Sequence, residues 1–97
     1  MNMNSTKTNS LSDNNIMKFP MAFPIKIMGL NNPNFPGLIC DMASQHFGDF
    51  NKKTLNISFS KTKKYMALSI TVNAQSKEQL DKFYLALTNH PMVKVAL

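Results

Sequence analysis

Arginine is absent from this 97-residue chain: all 11 basic residues are lysine, set against five acids, for a net charge of +6 and a pI near 9.7. A lysine ammonium is a hydrated point charge, which suits general attraction to anions and not the planar, bidentate recognition that guanidinium groups provide. Cysteine occurs once, at Cys40, so no intrachain disulfide can form and nothing points to an oxidising compartment. No apolar run approaches the roughly 18 residues that a membrane span needs. The N-terminus has no basic region followed by an apolar stretch, so no signal peptide is expected and the default placement is cytoplasmic. A chain of this length supports one domain with a modest core, which favours a surface site over a catalytic cavity.

Clusters that carry chemistry are also missing. Cys40 and His46 lie six residues apart along a helical stretch, well separated around and along its axis, and His46 falls on the apolar stripe, where a satisfied core histidine is expected. His90 sits in a loop. One thiol, two scattered histidines and no paired carboxylate give no metal site. Asp41, Asp49 and Asp81 have no spacing to a serine that a hydrolase triad could use. The eight methionines read as core filler and tail. No catalytic residue, metal or cofactor is therefore assigned, and an enzyme is the least expected class.

What the chain has is pattern. Residues 1–16 carry almost nothing to bury and no period, and are expected to form a disordered tail ahead of a single domain at 17–97. Phe23, Ile25 and Ile27 alternate with Pro24, Lys26 and Met28, predicting a strand that stops at Gly29, with Pro24 near its start because it lacks an amide donor. Phe35, Leu38, Ile39, Met42, Ala43 and His46 fall at steps of three and four, a helix with Pro33 or Pro36 in its first turn and Gly48 as its stop. Leu55, Ile57 and Phe59, then Met66, Leu68, Ile70 and Val72, give two alternations joined by a polar turn, which is a hairpin. Ser76 and Gln79 form a capping box before the stripe Leu80, Phe83, Tyr84 and Leu87, with Glu78–Lys82 and Lys77–Asp81 pairs on the outer face. Val93, Val95 and Leu97 make a last strand.

Six one-sided amphipathic segments in this order are buried most economically as an α+β fold: a four-stranded antiparallel sheet with two helices on one face. Right-handed crossovers then select the ferredoxin-like β-α-β-β-α-β arrangement. The other sheet face is expected to be polar and small, made of Lys26, Met28, Asn56, Ser58, Ala67, Ser69, Thr71, Lys94 and Ala96.

The run Phe-Pro-x-x-Phe-Pro-Ile-Lys-Ile-Met-Gly at 19–29, Tyr65 with Leu-Ser-Ile-Thr-Val-Asn-Ala at 68–74, Glu78-Gln79, Tyr84 with Leu87, and Val-Lys-Val-Ala-Leu at 93–97 resembles the YbeD-like family of small bacterial proteins. The resemblance covers the chain outside the tail. It implies a cytosolic bacterial protein of ferredoxin-like fold, similar to the ACT domains that sense small molecules in amino-acid metabolism, and it carries a lead toward lipoate regulation. Asn34-Phe35-Pro36-Gly37-Leu38 looks like the Asp/Asn-x-Pro-Gly-Leu turn of ACT domains, in which the Asn or Asp contacts the effector; Asn32 stands where some members place a histidine.

That turn also has a physical rationale. Glycine permits close backbone approach, and amides at a helix N-terminus favour a carboxylate. The ligand-binding candidates are Asn34, Pro36, Gly37 and Leu38, against the plainer view that these residues only shape a loop. A partner face is expected at Lys26, Ser69, Thr71 and Lys94. Lys52, Lys53, Lys61, Lys63 and Lys64 form a basic edge that would attract nucleic acid in a salt-dependent way. RNA recognition on this fold needs aromatics on the open face; Tyr65 stands at one such position, but Ala67 at the next and Lys26 on the first strand leave the platform largely missing, so solubility and edge protection are the expected role. The reading is a non-enzymatic regulatory module for a small carboxylate, with side-by-side pairing of two copies; the alternative is a protein-binding adaptor that uses the open sheet face or an edge strand, the weaker alternative is RNA binding through the lysine-rich hairpin, and no membrane partner is expected.

Overall fold

Alternation and helical period become strands Met21–Leu30 (β1), Asn56–Phe59 (β2), Tyr65–Ala74 (β3) and Val93–Ala96 (β4), and helices Phe35–His46 (α1) and Lys77–Thr88 (α2). The structure, a computed structural model, describes residues 18–97; the expected tail at 1–16 lies outside them. The sheet order is β2-β3-β1-β4 with every neighbouring pair antiparallel. Each β-α-β unit thus leaves a gap that a strand of the other unit fills, which is the ferredoxin-like topology.

One face of the sheet carries the core. Ile25 lies opposite Ile70 and Ile27 opposite Leu68 in the β1–β3 register. These residues join Phe35, Ile39 and Ala43 of α1 and Leu80, Phe83 and Leu87 of α2 in a single buried cluster, so both helices cover the same face. Phe47, one residue past α1, is as buried as any of them and meets Phe83 edge to face at 5.2 Å. It continues the Ile39–Ala43 row by a step of four, a position the stop signal at Gly48 hides. The helix ends without a left-handed glycine: Phe47 is extended and its N–H bonds back to the Ala43 carbonyl at 2.8 Å.

Pro24 is the fourth of ten strand residues, further in than expected. Lys26 exchanges both of its backbone bonds with Leu97, at 3.1 and 2.8 Å, so the even residues of β1 direct their backbone groups away from β3. Pro24 turns its missing donor to that same side, beyond the last β4 pairing among the described residues, and no ladder bond is lost.

The phase of β4 departs from the expected alternation. Gly29 pairs with Val93 but Met28 pairs with Val95, so Lys94 is the extra residue of a bulge. Ala96 consequently lies opposite Ile27 and packs toward the core, while Val95 turns to the open face. A 3-10 turn at Lys52–Thr54, which no periodicity announces, precedes β2.

Candidate functional site

Between Leu30 and α1 the chain turns through four residues held by their own polar groups. The Asn32 side-chain oxygen accepts the Asn34 N–H at 2.8 Å, the Asn32 carbonyl accepts Phe35 N–H at 3.0 Å, and the Asn34 carbonyl accepts Leu38 N–H at 3.1 Å. Asn34 occupies the N-cap position, but in helical backbone (φ −88°, ψ −11°), and its side chain makes no capping bond. Asn32 therefore does the structural work, and the Asn34 amide group stays uncommitted. Pro36 sits in the first helical turn, where it needs no acceptor.

Gly37 is the informative residue of the turn. It lies within α1, its φ is not positive, and a Cβ built on it would meet nothing within 4 Å. Its N–H has no hydrogen-bond acceptor among the described residues. A helical glycine costs roughly 0.5–1 kcal/mol relative to alanine, and here no turn geometry or tight packing requires it. The first turn of α1 also contains no acid, so no side chain of that turn neutralises the positive end of the helix dipole.

Asn31 connects this turn to the lysine hairpin. Its backbone N–H donates to the Lys64 carbonyl and its side-chain amide donates to the Lys63 carbonyl, both at 2.9 Å. Asn31 was not among the sequence candidates; the register that sets Leu30 opposite Tyr65 is what brings it to the hairpin. Lys63 takes positive φ (61°) at the tip, with its N–H bonded to the Ser60 carbonyl at 2.9 Å. The Lys63 ammonium lies 5.9 Å from the Phe59 ring centroid and the Lys64 ammonium 5.5 Å from that of Tyr65. Lys61, Lys63 and Lys64 flank one end of β2, and Lys52 and Lys53 flank the other. All five are exposed.

On the open face the register sets Lys26 opposite Ser69 and Pro24 opposite Thr71, so Lys26, Ser69 and Thr71 share one surface; Lys94 stands apart from them as the bulge residue. The face is not uniformly polar. Leu30 opposite Tyr65, Val95 opposite Met28, and Leu97 bonded to Lys26 give it an apolar half, with Leu30, Tyr65, Val95 and Leu97 all exposed. The bulge in β4 is what turns Val95 outward; Met28 and Tyr65 were legible on this face from the alternation, and Leu30, in phase with Met28, extends it.

A shallow depression of about 340 Å³ lies between the end of α1 and the start of α2, lined by Gln45, His46, Ser76, Glu78, Gln79 and Lys82, and includes none of the sequence candidates. Two of its six side chains, Ser76 and Gln79, are committed to hydrogen bonds within the fold. Ser76 Oγ accepts the Gln79 N–H at 3.1 Å, while the Gln79 side chain accepts from Gln75 N–H at 2.7 Å and donates to the His46 carbonyl at 2.8 Å. The Ser-x-x-Gln box is thus made in its first half, and its glutamine joins the two helices. His46 is half-buried with its ring 5.3 Å from Phe83, a packing residue. Of the two helix-surface pairs only Lys77–Asp81 closes, at 2.7 Å; Glu78 and Lys82 are not within ion-pair distance.

Cys40 is half-buried on α1, and desolvation pushes its thiol above the usual range, more than the charge of Lys52 pulls it down; Asp41 adds to the rise. That direction favours the protonated thiol over the nucleophilic thiolate. His90 accepts the Met92 N–H on Nδ1 at 3.2 Å and shapes the loop before β4. Among the described residues no three His, Cys, Asp or Glu side chains converge, and no helix is long and apolar enough to cross a membrane.

Residues 14–97 match the family described as "Protein of unknown function (DUF493)". A UPF0250 protein of Paraburkholderia phymatum is 42% identical over 82 residues, covering 84% of this chain and 92% of the relative. UPF0250 proteins of Bordetella parapertussis and Nitrosomonas europaea are 38% and 34% identical over 85 and 87 residues, covering 88% and 90% of this chain and 93% and 100% of theirs. The chain belongs to this bacterial family, which is the YbeD family.

Proposed function

We propose that this member of the DUF493 family is a regulatory module of ACT-like type, without catalytic activity of its own, that binds a small carboxylate-bearing metabolite at the first turn of α1. The observation that carries the reading is Gly37: a helical glycine with open space where its side chain would be, no left-handed backbone and an unused N–H. A carboxylate there would meet that amide and the end of the helix dipole, with the Asn34 side chain beside it and the Lys63–Lys64 hairpin tied to the same turn through Asn31. Lipoate belongs among the first ligands to test because of the family resemblance, together with amino acids and short acyl acids.

The test is a titration of the nitrogen-labelled chain followed by NMR. Amide shifts confined to Asn34–Leu38 and saturating by millimolar ligand are expected. Gly37→Ala should stabilise the free protein by roughly 0.5–1 kcal/mol while weakening the ligand about tenfold, because the added methyl fills the approach. If the glycine served only the loop, the same change would be neutral toward ligand. No shift near Gly37 with any of these carboxylates at millimolar concentration overturns the proposal.

A second reading, a protein-binding adaptor, is favoured by the apolar half of the open sheet face at Met28, Leu30, Tyr65, Val95 and Leu97. It predicts that Leu30→Ser combined with Val95→Ser abolishes capture of a partner enzyme while leaving the carboxylate titration unchanged. Capture that is indifferent to both substitutions removes that face.

A further inference from the structure

β2 is an edge strand, and its outer side is open in both backbone and side chain. The Ser60 N–H bonds to the Tyr65 carbonyl at 3.0 Å, and the register pairs Ser58 with Ala67 and Asn56 with Ser69. Alternation in an antiparallel ladder then spends the backbone groups of Asn56, Ser58 and Ser60 on β3 and turns the N–H and C=O of Ile57 and Phe59 outward. The side chains of those two residues lie on the helix side, opposite buried Leu68 and Met66, yet no helix covers them: Ile57 is 44% and Phe59 50% exposed.

Edge strands are ordinarily blunted by lysine, proline or a bulge in the strand itself. Asn-Ile-Ser-Phe has none of these, and the lysines stand at its two ends instead. No acid occurs anywhere between Asp49 and Glu78. The edge is therefore a short apolar strip with unpaired ladder groups between two positive ends.

We infer that the outer edge of β2 is a docking site for an extended acidic segment of another protein, which adds to the sheet as a fifth strand. The outward groups of Ile57 and Phe59 would form the ladder, apolar residues at alternate positions of the incoming segment would cover their side chains, and flanking carboxylates would meet the lysines. A second copy of this chain is the poorer occupant, because pairing β2 with β2 sets two strongly basic hairpins against each other. Nucleic acid is also poorer: Phe59 and Tyr65 point to opposite faces of the sheet and form no stacking platform. The β2 edge and the carboxylate site on α1 have the Lys63–Lys64 hairpin in common, while Ile57 and Phe59 belong to the edge alone.

The full labelled chain is titrated at low salt with a short blocked peptide of alternating glutamate and valine. Shifts centred on Ile57 and Phe59, and exchange of their two amides slowed about tenfold or more, are expected. Ile57→Pro deletes an outward donor that serves no internal rung and should weaken binding about tenfold with the rest of the spectrum intact. Lys61→Glu with Lys64→Glu should weaken it similarly and flatten its salt dependence. Should Ile57→Pro fail to fold, Phe59→Ser, which keeps every backbone bond, is the substitute and should also weaken binding. A peptide that leaves β2 unperturbed, binding unchanged by either substitution in a folded variant, self-association through β2, or an oligouridine that shifts β2 where the peptide does not overturns the inference.

Discussion

Two glycines at one end of the molecule are there for opposite reasons. A Cβ on Gly29 would press into the Met92 carbonyl oxygen and stand 2.8 and 2.9 Å from ring atoms of Phe35. The first neighbour is backbone and the second is fully buried, so neither can retreat. Gly29→Ala should lower stability by about 1–3 kcal/mol, as overpacking does, read as a fall in the urea midpoint at unchanged slope. An alanine tolerated without loss would show that β4 and Phe35 do not close over this position as described. The sequence marks Gly29 as the end of the strand, and β1 ends one residue later at Leu30. What the pattern does not show is that the β4 bulge and the first turn of α1 close onto β1 at Gly29, a contact that depends on residues far along the chain. Gly37, by contrast, answers to nothing in its own fold, which is why it carries the ligand proposal.

Elements with a periodic buried face were legible, and those shaped by single hydrogen bonds were not. The strands β1 and β3 alternate cleanly, and both helices repeat at three and four, so their existence and sidedness follow from the pattern alone. β4 is only four residues long, and one extra residue shifts its phase, placing Ala96 inward and Val95 outward against the simple alternation. The segment before β2 has no pattern to read, yet Thr54 Oγ1 accepts the Thr71 N–H at 3.2 Å and donates to the Asn51 carbonyl at 2.9 Å, so that a hydroxyl extends the β2–β3 ladder by one rung. Thr54→Val keeps the shape and removes the rung. It should cost about 1 kcal/mol and speed hydrogen exchange at the Thr71 amide, with Thr54→Ser restoring both. A valine variant with parent-like exchange at Thr71 would mean that β3 ends its pairing at Asn56.

At the scale of the molecule, the candidate residues were legible one group at a time, and their adjacency was not. The resemblance to ACT domains singled out Asn34–Leu38 and the charge pattern singled out the lysines; the sheet register brings them together by placing Asn31 against the Lys63 and Lys64 carbonyls. Holding that register depends on a small core in which Phe83 is the shared member, meeting His46 at 5.3 Å and Phe47 at 5.2 Å and so joining the start of the loop after α1 to the middle of α2. Truncating a buried phenylalanine costs about 3–5 kcal/mol, a large part of the roughly 5–15 kcal/mol that holds a native domain together. At about 4–8 °C per kcal/mol for a domain of this size, Phe83→Ala should melt at least about 12 °C below the parent. Phe83→Leu, which refills most of the space but loses the edge-to-face contact, should recover the greater part of that difference. Calorimetry of the three proteins checks this, and a Phe83→Ala melting point within a few degrees of the parent would mean that the helices are fixed to the sheet by contacts other than this one.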